Sequence, residues 1–126
     1  MTIRGLGTDI VEISRISAQV KKNYDHLAKN ILTDIELTQF YNSNFPDRYL
    51  AKRFAAKEAA AKALGTGISQ GVNFLNFCII NDHFGKPILT LSGKAKEISL
   101  EKGIPSFHLS ISDEKKYAVA TVIFES

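Results

Sequence analysis

The sequence predicts an α+β fold, with helices in the first half of the chain and mostly antiparallel strands in the second half. Residues 48–67 combine alanine with lysine, arginine, leucine and glutamate, the strongest helix formers. After residue 74, apolar residues recur with a period of two between turns that contain glycine or proline, as strands require. No repeat or linker divides the 126 residues, so we expect a single domain over residues 1–126.

The first half begins with a predicted strand over residues 3–11, IRGLGTDIV. One of its faces carries the odd-numbered residues Ile3, Gly5, Gly7, Asp9 and Val11. Glycine inside a strand often marks a close approach by other backbone or by a ligand, so this face has room beside the carboxylate. A helix over residues 12–22 follows. A second helix begins at Thr33, because Thr33 and Glu36 have the spacing of a capping box, and it runs to about Tyr41.

The central helix is predicted to begin near Pro46 and Asp47 and to end at the Gly65-Thr66-Gly67 segment. Within residues 48–67 there are seven alanines, five basic residues and a single acidic residue, Glu58. At about 100° per residue, Glu58 shares a face with small and aromatic side chains and with one lysine: Ala51, Phe54, Ala55, Ala61 and Lys62. A carboxylate therefore projects from a surface that other backbone can approach closely.

The second half is predicted to contain four strands and one helix. Strands over residues 74–81 and 88–91 flank a turn at residues 82–87, and a helix covers residues 93–102. A closing hairpin pairs residues 106–112 with residues 117–124. In its first strand, His108, Ser110 and Ser112 share one face, which favours a row of polar side chains lining a pocket.

Composition excludes some classes of protein. A hydrophobic content of 44% with 23% charged residues is typical of a soluble globular protein, and no apolar run is long enough to span a membrane or to form a signal peptide. Cys78 is the only cysteine, in an apolar setting typical of a buried strand thiol, so we expect a reducing cytoplasm. The net charge of +3 is concentrated on the central helix, which favours an anionic partner.

Asp9 and Glu58 are candidates for a shared divalent-metal site. Two carboxylates, completed by phosphate oxygens and water, suit magnesium. The alternatives are structural: an i,i+4 salt bridge between Glu58 and Lys62, and a loop or cap role for Asp9. No sequence pattern for zinc ligands or for a serine nucleophile is present.

Three basic residues of the central helix, Arg53, Lys57 and Lys62, are candidates for binding phosphates. The following Gly65-x-Gly67 lies at a helix C-terminus, where the dipole repels anions, so it is not a P-loop. A solvated helix face, or a module that binds nucleic acid, would also explain the charge, but a net charge of +3 is low for the latter. His108 has the alternative of being an ordinary hydrogen-bonded strand residue.

Four segments together resemble the holo-acyl-carrier-protein synthase family, the small bacterial type of 4′-phosphopantetheinyl transferase. They are GTDIVEISRI at residues 7–16, RFAAKEAAAKALGTG at residues 53–67, GKP at residues 85–87 and the closing HLSISDEKKYAVATVIFES. The most specific parts are G-x-D near the N-terminus and F-x-x-K-E-A-x-x-K-A in the central helix. The resemblance spans nearly the whole chain.

The resemblance implies a magnesium-dependent transfer of 4′-phosphopantetheine from coenzyme A to a serine of apo-acyl carrier protein, in support of fatty acid biosynthesis. It places Asp9 and Glu58 at the metal and Lys62 at the coenzyme A phosphates, and these three are the implied catalytic residues. Arg53, His108 and Ser110 match positions that line the nucleotide site. The base that takes the serine proton is either Glu58 or a metal-bound water.

The resemblance also implies a homotrimer with sites between neighbouring subunits, where His108 comes from a second subunit. Arg15 matches a helix arginine that docks the carrier protein, and Lys21 and Lys22 are expected to help attract this acidic partner. Phe74, Phe77 and Phe84 are candidates for a shared apolar interface. Neither nucleic acid nor a membrane is an expected partner. A magnesium phosphohydrolase that uses water instead of the carrier serine is the alternative enzyme.

Overall fold

The computed structural model describes all residues from Met1 to Ser126 and has the predicted α+β architecture. In chain order its elements are β1 (Ile3–Glu12), α1 (Ile13–Lys22), α2 (His26–Ile31), α3 (Asp34–Asn42), α4 (Pro46–Leu64), a 3₁₀ turn (Phe74–Asn76), β2 (Phe77–Asn81), β3 (Pro87–Leu91), α5 (Gly93–Glu101), β4 (Ser106–Asp113) and β5 (Tyr117–Glu125). No helix combines the length and the apolar character that a membrane crossing would require.

Two antiparallel sheets organise these elements. The larger sheet has the strand order β1-β5-β4, so the first strand of the chain pairs with the last, and Asp9 lies opposite Ala120. The smaller sheet is the hairpin of β2 and β3. The sequence did not reveal α2, because six residues without a side-chain cap give too short a pattern to distinguish a helix from a loop.

Helix α4 forms the centre of the molecule. It packs against β1 and β5 on one side, and against α1, α3 and β2 elsewhere. Eleven of its nineteen residues are buried, and they point in most directions around the helix axis, whereas Glu58 is partly exposed and Lys62 is exposed. A helix that is buried on most sides is a core helix. The basic face predicted from the sequence is therefore not a continuous solvent-exposed surface, and this argues against a nucleic-acid stripe.

The alanines of α4 allow β1 to approach very closely. A Cβ added at Gly5 would overlap the carbonyl oxygen of Ala63, and one added at Gly7 would overlap that of Ala59. Both glycines belong to the odd-numbered face of β1, whereas the even-numbered side chains point away from the helix. The predicted close approach of strand and helix is confirmed, and it carries Asp9 to the surface of α4.

A buried ion pair ties α4 to α3 and β2. Lys57 is fully buried and donates from Nζ to Glu36 Oε1 at 2.6 Å and to the carbonyl oxygen of Ile31 at 2.6 Å. Glu36 completes the predicted capping box at Thr33 and also accepts from the backbone N–H of Ile79 at 2.7 Å. The prediction that Lys57 binds phosphates is therefore wrong, since its charge is neutralised inside the core.

The three phenylalanines expected at an apolar interface have different environments. Phe77 is fully buried in the core, and Phe74 packs its ring 5.6 Å from that of Phe54. Only Phe84, at the tip of the β2–β3 hairpin, is largely exposed, at 84%. The expected interface of three phenylalanines does not exist as a continuous surface.

Candidate active site

Asp9 lies near the middle of β1 and faces α4, two residues beyond Gly7. Its side chain is 17% exposed, and its Oδ1 atom lies 3.2 Å from Lys62 Nζ. Lys62 also donates to the carbonyl oxygen of Thr8 at 2.9 Å. Asp9 therefore has no loop or cap role, and the strand holds its carboxylate directly against the last turns of the central helix.

Glu58 lies one helical turn before Lys62 and is partly buried. Burial raises the pKa of the Glu58 carboxyl, the negative charge of Asp9 raises this pKa further, and Lys62 opposes the rise. Asp9 thus lies within electrostatic range of Glu58, across the contact between β1 and α4. No salt bridge joins Lys62 to Glu58, because the ammonium turns to Asp9 instead. The i,i+4 salt bridge considered from the sequence is not formed.

The donor set of this cluster fits a magnesium ion. Asp9 and Glu58 offer only hard oxygen ligands, and a cation between them would relieve their repulsion. No group of three or more histidine, cysteine, aspartate or glutamate side chains surrounds a possible metal position anywhere in the chain. Two carboxylates leave most coordination positions to water and to a phosphate-bearing ligand, as magnesium sites commonly do.

Arg53 lies on the opposite side of α4. It is nine residues before Lys62, which places the two side chains about half a turn apart around the helix axis. Its guanidinium stacks 4.7 Å from the centre of the Tyr49 ring and donates to Asn81 Oδ1 at 3.1 Å. Arg53 is only 4% exposed, and its Nε atom has no hydrogen-bond partner. The structure therefore groups Arg53 with the β2–β3 hairpin rather than with the carboxylates.

His108 and Ser110 lie on the face of the larger sheet that points away from α4. His108 pairs in register with Ile123, and its Nε2 atom lies 3.1 Å from Glu125 Oε1. The sheet separates these side chains from Asp9, which faces α4. A single chain therefore does not bring His108 or Ser110 to the carboxylate cluster.

The outer face of that sheet is unusually apolar for an exposed surface. Leu6 and Ile10 of β1 are each 64% exposed, and Tyr117 of β5 is 42% exposed. Leu6 shares the register row of His108, and Ile10 lies in the row next to that of Ser110. Large exposed apolar patches with polar residues around them mark interaction sites.

The three residues expected to attract the carrier protein are all exposed on α1. Arg15 lines a groove of about 530 Å³, whose walls are mostly apolar and include Val11 of β1 and Phe54 of α4. Val11 lies on the same strand face as Asp9, and Phe54 lies one helical turn before Glu58. The groove therefore adjoins the carboxylate cluster. Lys21 and Lys22 occupy the last turn of α1.

Sequence reasoning missed one residue near this cluster, Lys102. It follows α5 and donates from Nζ to the carbonyl oxygen of Leu64, the last residue of α4, at 2.6 Å. The two residues are 38 positions apart, and no local pattern links a lysine after one helix to the end of another. Only the packing of α5 against α4 brings them together.

Comparison with known proteins places this arrangement in a family. A family model for the 4′-phosphopantetheinyl transferase superfamily matches residues 5–122. The chain is 59% identical to the holo-[acyl-carrier-protein] synthase of Vibrio campbellii over 126 residues, which is 100% of both chains.

Solved structures agree with the sequence comparisons. The crystal structure of holo-[acyl-carrier-protein] synthase from Neisseria meningitidis superposes with a TM-score of 0.91 at 46% identity, covering 99% of this chain and 100% of that one. The enzyme from Bacillus anthracis, solved in complex with CoA (3′,5′-ADP), has a TM-score of 0.82 at 39% identity, with 100% of this chain and 99% of that chain covered.

Proposed function

The chain belongs to the 4′-phosphopantetheinyl transferase superfamily, and from this we propose that it is a holo-acyl-carrier-protein synthase acting as one domain over residues 1–126. It transfers the 4′-phosphopantetheine group of coenzyme A to a serine hydroxyl of apo-acyl carrier protein. A bond forms between the serine oxygen and the phosphorus that carries the pantetheine arm. The bond from that phosphorus to adenosine 3′,5′-bisphosphate breaks, and the proton of the serine hydroxyl passes to a base, either Glu58 or a water.

The observation that carries this proposal is the contact of Asp9 with Lys62 beside Glu58. It joins the two sequence segments that are most specific to the family, one on β1 and the other on α4. Phosphoryl transfer requires little covalent participation by the protein, but it needs positive charge and fixed geometry at the phosphates. A rigid strand and a core helix, with no space between them at Gly5 and Gly7, supply that geometry.

We propose that Asp9 and Glu58 hold magnesium. When bound, the ion would neutralise charge on the diphosphate of coenzyme A and polarise its phosphoryl oxygens. The contact of Asp9 with Lys62, one helical turn after Glu58, supports this assignment, because a cation between the two carboxylates would offset their repulsion. Glu58 and Asp9 contribute only oxygen ligands, which favours magnesium over a metal that prefers thiolate or imidazole.

Lys62 and Arg53 are the basic residues that we assign to coenzyme A. The side chain of Lys62 is 51% exposed and reaches the edge of the carboxylate cluster, where a phosphate can contact its ammonium. Arg53 forms no salt bridge with any carboxylate, so its positive charge is not neutralised within the chain. Its contact with Asn81 places that charge beside the β2–β3 hairpin.

We propose that the sites lie between subunits of a homotrimer. His108 and Ser110 cannot reach the carboxylates of their own chain, because the larger sheet lies between them. The exposed apolar side chains of Leu6, Ile10 and Tyr117 beside them would be covered by a neighbouring copy. His108 and Ser110 would then line the nucleotide site of that neighbour.

The carrier protein is proposed to dock on α1. Its expected acidic surface would meet Arg15, Lys21 and Lys22, which steer association more than they stabilise the complex. The apolar groove between Arg15 and Phe54 leads to the carboxylate cluster, so a partner bound there delivers its serine beside Glu58. We place the enzyme in the cytoplasm, in support of fatty acid biosynthesis.

Intact-mass spectrometry tests the proposal. Apo-acyl carrier protein is incubated with this protein and coenzyme A, with magnesium or with EDTA. We expect the carrier to gain one phosphopantetheine group only with magnesium, and a carrier whose acceptor serine is replaced by alanine to gain nothing. An unmodified carrier would overturn the proposal. Magnesium-dependent cleavage of coenzyme A without modification of the carrier would instead identify a phosphohydrolase.

A further inference from the structure

The end of α4 presents an electrostatic problem for a protein that binds coenzyme A. Helix C-termini carry partial negative charge from their unpaired carbonyl groups, and they repel anions. The segment from Gly65 to Gly71 begins at this terminus, three residues after Lys62. Phosphates that bind near Lys62 must therefore approach the negative end of a nineteen-residue helix.

Carbonyl groups in the last turn of α4 accept hydrogen bonds from the residues that follow the helix and from one lysine side chain. The N–H of Gly65 donates to the carbonyl oxygens of Ala61 and Lys62, and the N–H of Gly67 donates to that of Ala61 at 3.1 Å. The last carbonyl, that of Leu64, has no backbone donor outside the helix and accepts from Lys102 Nζ at 2.6 Å instead. A Cβ at Gly65 would come within 3.1 Å of the same nitrogen.

Lys102 brings a positive charge that no carboxylate neutralises. It takes part in no salt bridge, and its hydrogen bond to Leu64 is partly buried although the residue as a whole is exposed. At the other end of the segment, Lys94 of α5 packs against Gly71, where an added Cβ would be 3.2 Å from Lys94 Cγ. Helix α5 and the residue that follows it thus place one lysine at each end of the segment.

The segment itself has unused hydrogen-bond donors. Gly65 and Gly67 have positive φ angles of 90° and 62°, and the backbone N–H groups of Thr66, Ile68 and Ser69 form no hydrogen bond within the chain. Left-handed residues that leave successive N–H groups unpaired can bind anions. These amides can act on a phosphate only if the negative helix end beneath them is neutralised.

We propose that Lys102 is a positioning residue for coenzyme A, because its ammonium neutralises the C-terminus of α4 under residues 65–71 and so allows the phosphates to bind beside Lys62. The proposal rests on the proposed function. Lys102 acts through Leu64 and the turn, and it need not touch the substrate. The alternative is that Lys102 only caps the helix and stabilises the fold.

The two roles differ in what a change at Lys102 would alter. A purely structural cap contributes to the melting temperature and leaves the KM for coenzyme A unchanged. If the role is electrostatic, loss of the charge raises this KM. The difference in KM between variant and wild type then shrinks at high salt, because salt screens the interaction. Arginine at position 102 keeps the positive charge and a hydrogen-bond donor. Lys102→Arg should therefore keep the KM for coenzyme A near its wild-type value.

The experiment measures kcat and the KM for coenzyme A in Lys102→Met, Lys102→Arg and the wild-type protein at low and high ionic strength. Lys96→Met is the matched control, since Lys96 is an exposed α5 lysine that forms no hydrogen bond or salt bridge through its side chain. For Lys102→Met at low salt, we expect the KM to rise about three- to five-fold, the size typical of one partly screened charge at a helix terminus. We expect kcat to change less than about two-fold.

The outcomes separate the proposals. A raised KM that Lys102→Arg restores and that high salt reduces supports the inference. A lowered melting temperature with an unchanged KM overturns it and identifies a structural cap, while the proposed function stands. An equal rise in the KM of Lys96→Met also overturns the inference, since the loss of any positive charge on α5 would then have the same effect. If the wild-type protein transfers no phosphopantetheine, the proposed function and this inference fail together.

Discussion

The α-carbon of Gly7 packs against the carbonyl oxygen of Ala59, so closely that no Cβ fits between β1 and α4. This contact sets the separation between the strand that carries Asp9 and the helix that carries Glu58 and Lys62. The position of the two carboxylates relative to each other therefore depends on the absence of a side chain at Gly7.

Replacement of Gly7 by alanine should separate β1 from α4. The new methyl group would overlap backbone that cannot move without disturbing the core, so we expect a loss of about 3 kcal/mol in the free energy of unfolding, the upper end of the usual overpacking cost. Urea denaturation measures it. Gly103→Ala is the control, because nothing lies within 4 Å of its added Cβ and only the positive φ of 68° is unfavourable. It should lose about 1–2 kcal/mol. Equal losses would contradict the close-approach explanation.

Loss of Lys57 should be among the most destabilising single changes. Lys57→Met leaves the fully buried Glu36 without its counter-ion, and breaking a buried pair typically costs about 3–5 kcal/mol. Thermal unfolding measures the effect. Lys52→Met is the control, since Lys52 lies at the surface, 3.8 Å from Asp113, and should cost less than about 1 kcal/mol. A loss at Lys57 no larger than that at Lys52 would contradict the stabilising role of the buried pair.

Magnesium should stabilise the wild-type protein but neither carboxylate variant. At a magnesium concentration about 100-fold above its Kd, bound metal adds about 2.7 kcal/mol to the free energy of unfolding. Asp9→Asn and Glu58→Gln should lose this gain, and we expect both to abolish transfer while remaining folded. Differential scanning calorimetry with magnesium or EDTA measures this stabilisation. Glu97 is an exposed acidic residue of α5, so the control Glu97→Gln should behave as wild type. Full metal stabilisation in either variant would refute the assignment.

Mixing two variants tests whether the site is shared between subunits. Lys62→Ala and His108→Ala should each reduce transfer strongly when prepared alone. Co-refolded in equal amounts, they should regain about one quarter of wild-type activity, because half of the Lys62 positions are intact and half of those face an intact His108 in a closed ring. Each variant refolded alone is the control. Activity no greater than the sum of the separate variants would place His108 outside the shared site.

Tyr49, whose ring supports the guanidinium of Arg53, should resist ionisation. Burial raises the pKa of Tyr49 to about 12, against an ordinary value of 10.0. Between these two pH values the unfolded chain loses this proton and the folded chain keeps it, so the free energy of unfolding falls as the pH rises from 10 to 12. In urea denaturation, Tyr49→Phe should therefore lose less stability than the wild-type protein over this interval. Parallel losses would contradict a buried hydroxyl.

Local patterns in the sequence determined most of the elements. The period of two in residues 3–11 correctly placed both glycines and Asp9 on one face, because the side chains of a strand must alternate. Alanine content and the flanking proline and glycine located α4, and the capping box located the start of α3. The motifs on β1 and α4 also identified the family, since they combine residue types whose order is specific.

The tertiary structure alone decided what each charged residue of α4 does. Periodicity placed Lys62 on the face of Glu58, but it could not show which basic residue is paired inside the core, so Arg53, Lys57 and Lys62 were all candidates for binding phosphates. Their partners are Asn81, Glu36 and Asp9, which come from distant segments of the chain. The positions of Lys102 at the end of α4 and of His108 on the outer face of the larger sheet likewise follow only from the tertiary structure. Desolvation and long-range pairing assign these roles, and both depend on how the elements pack together.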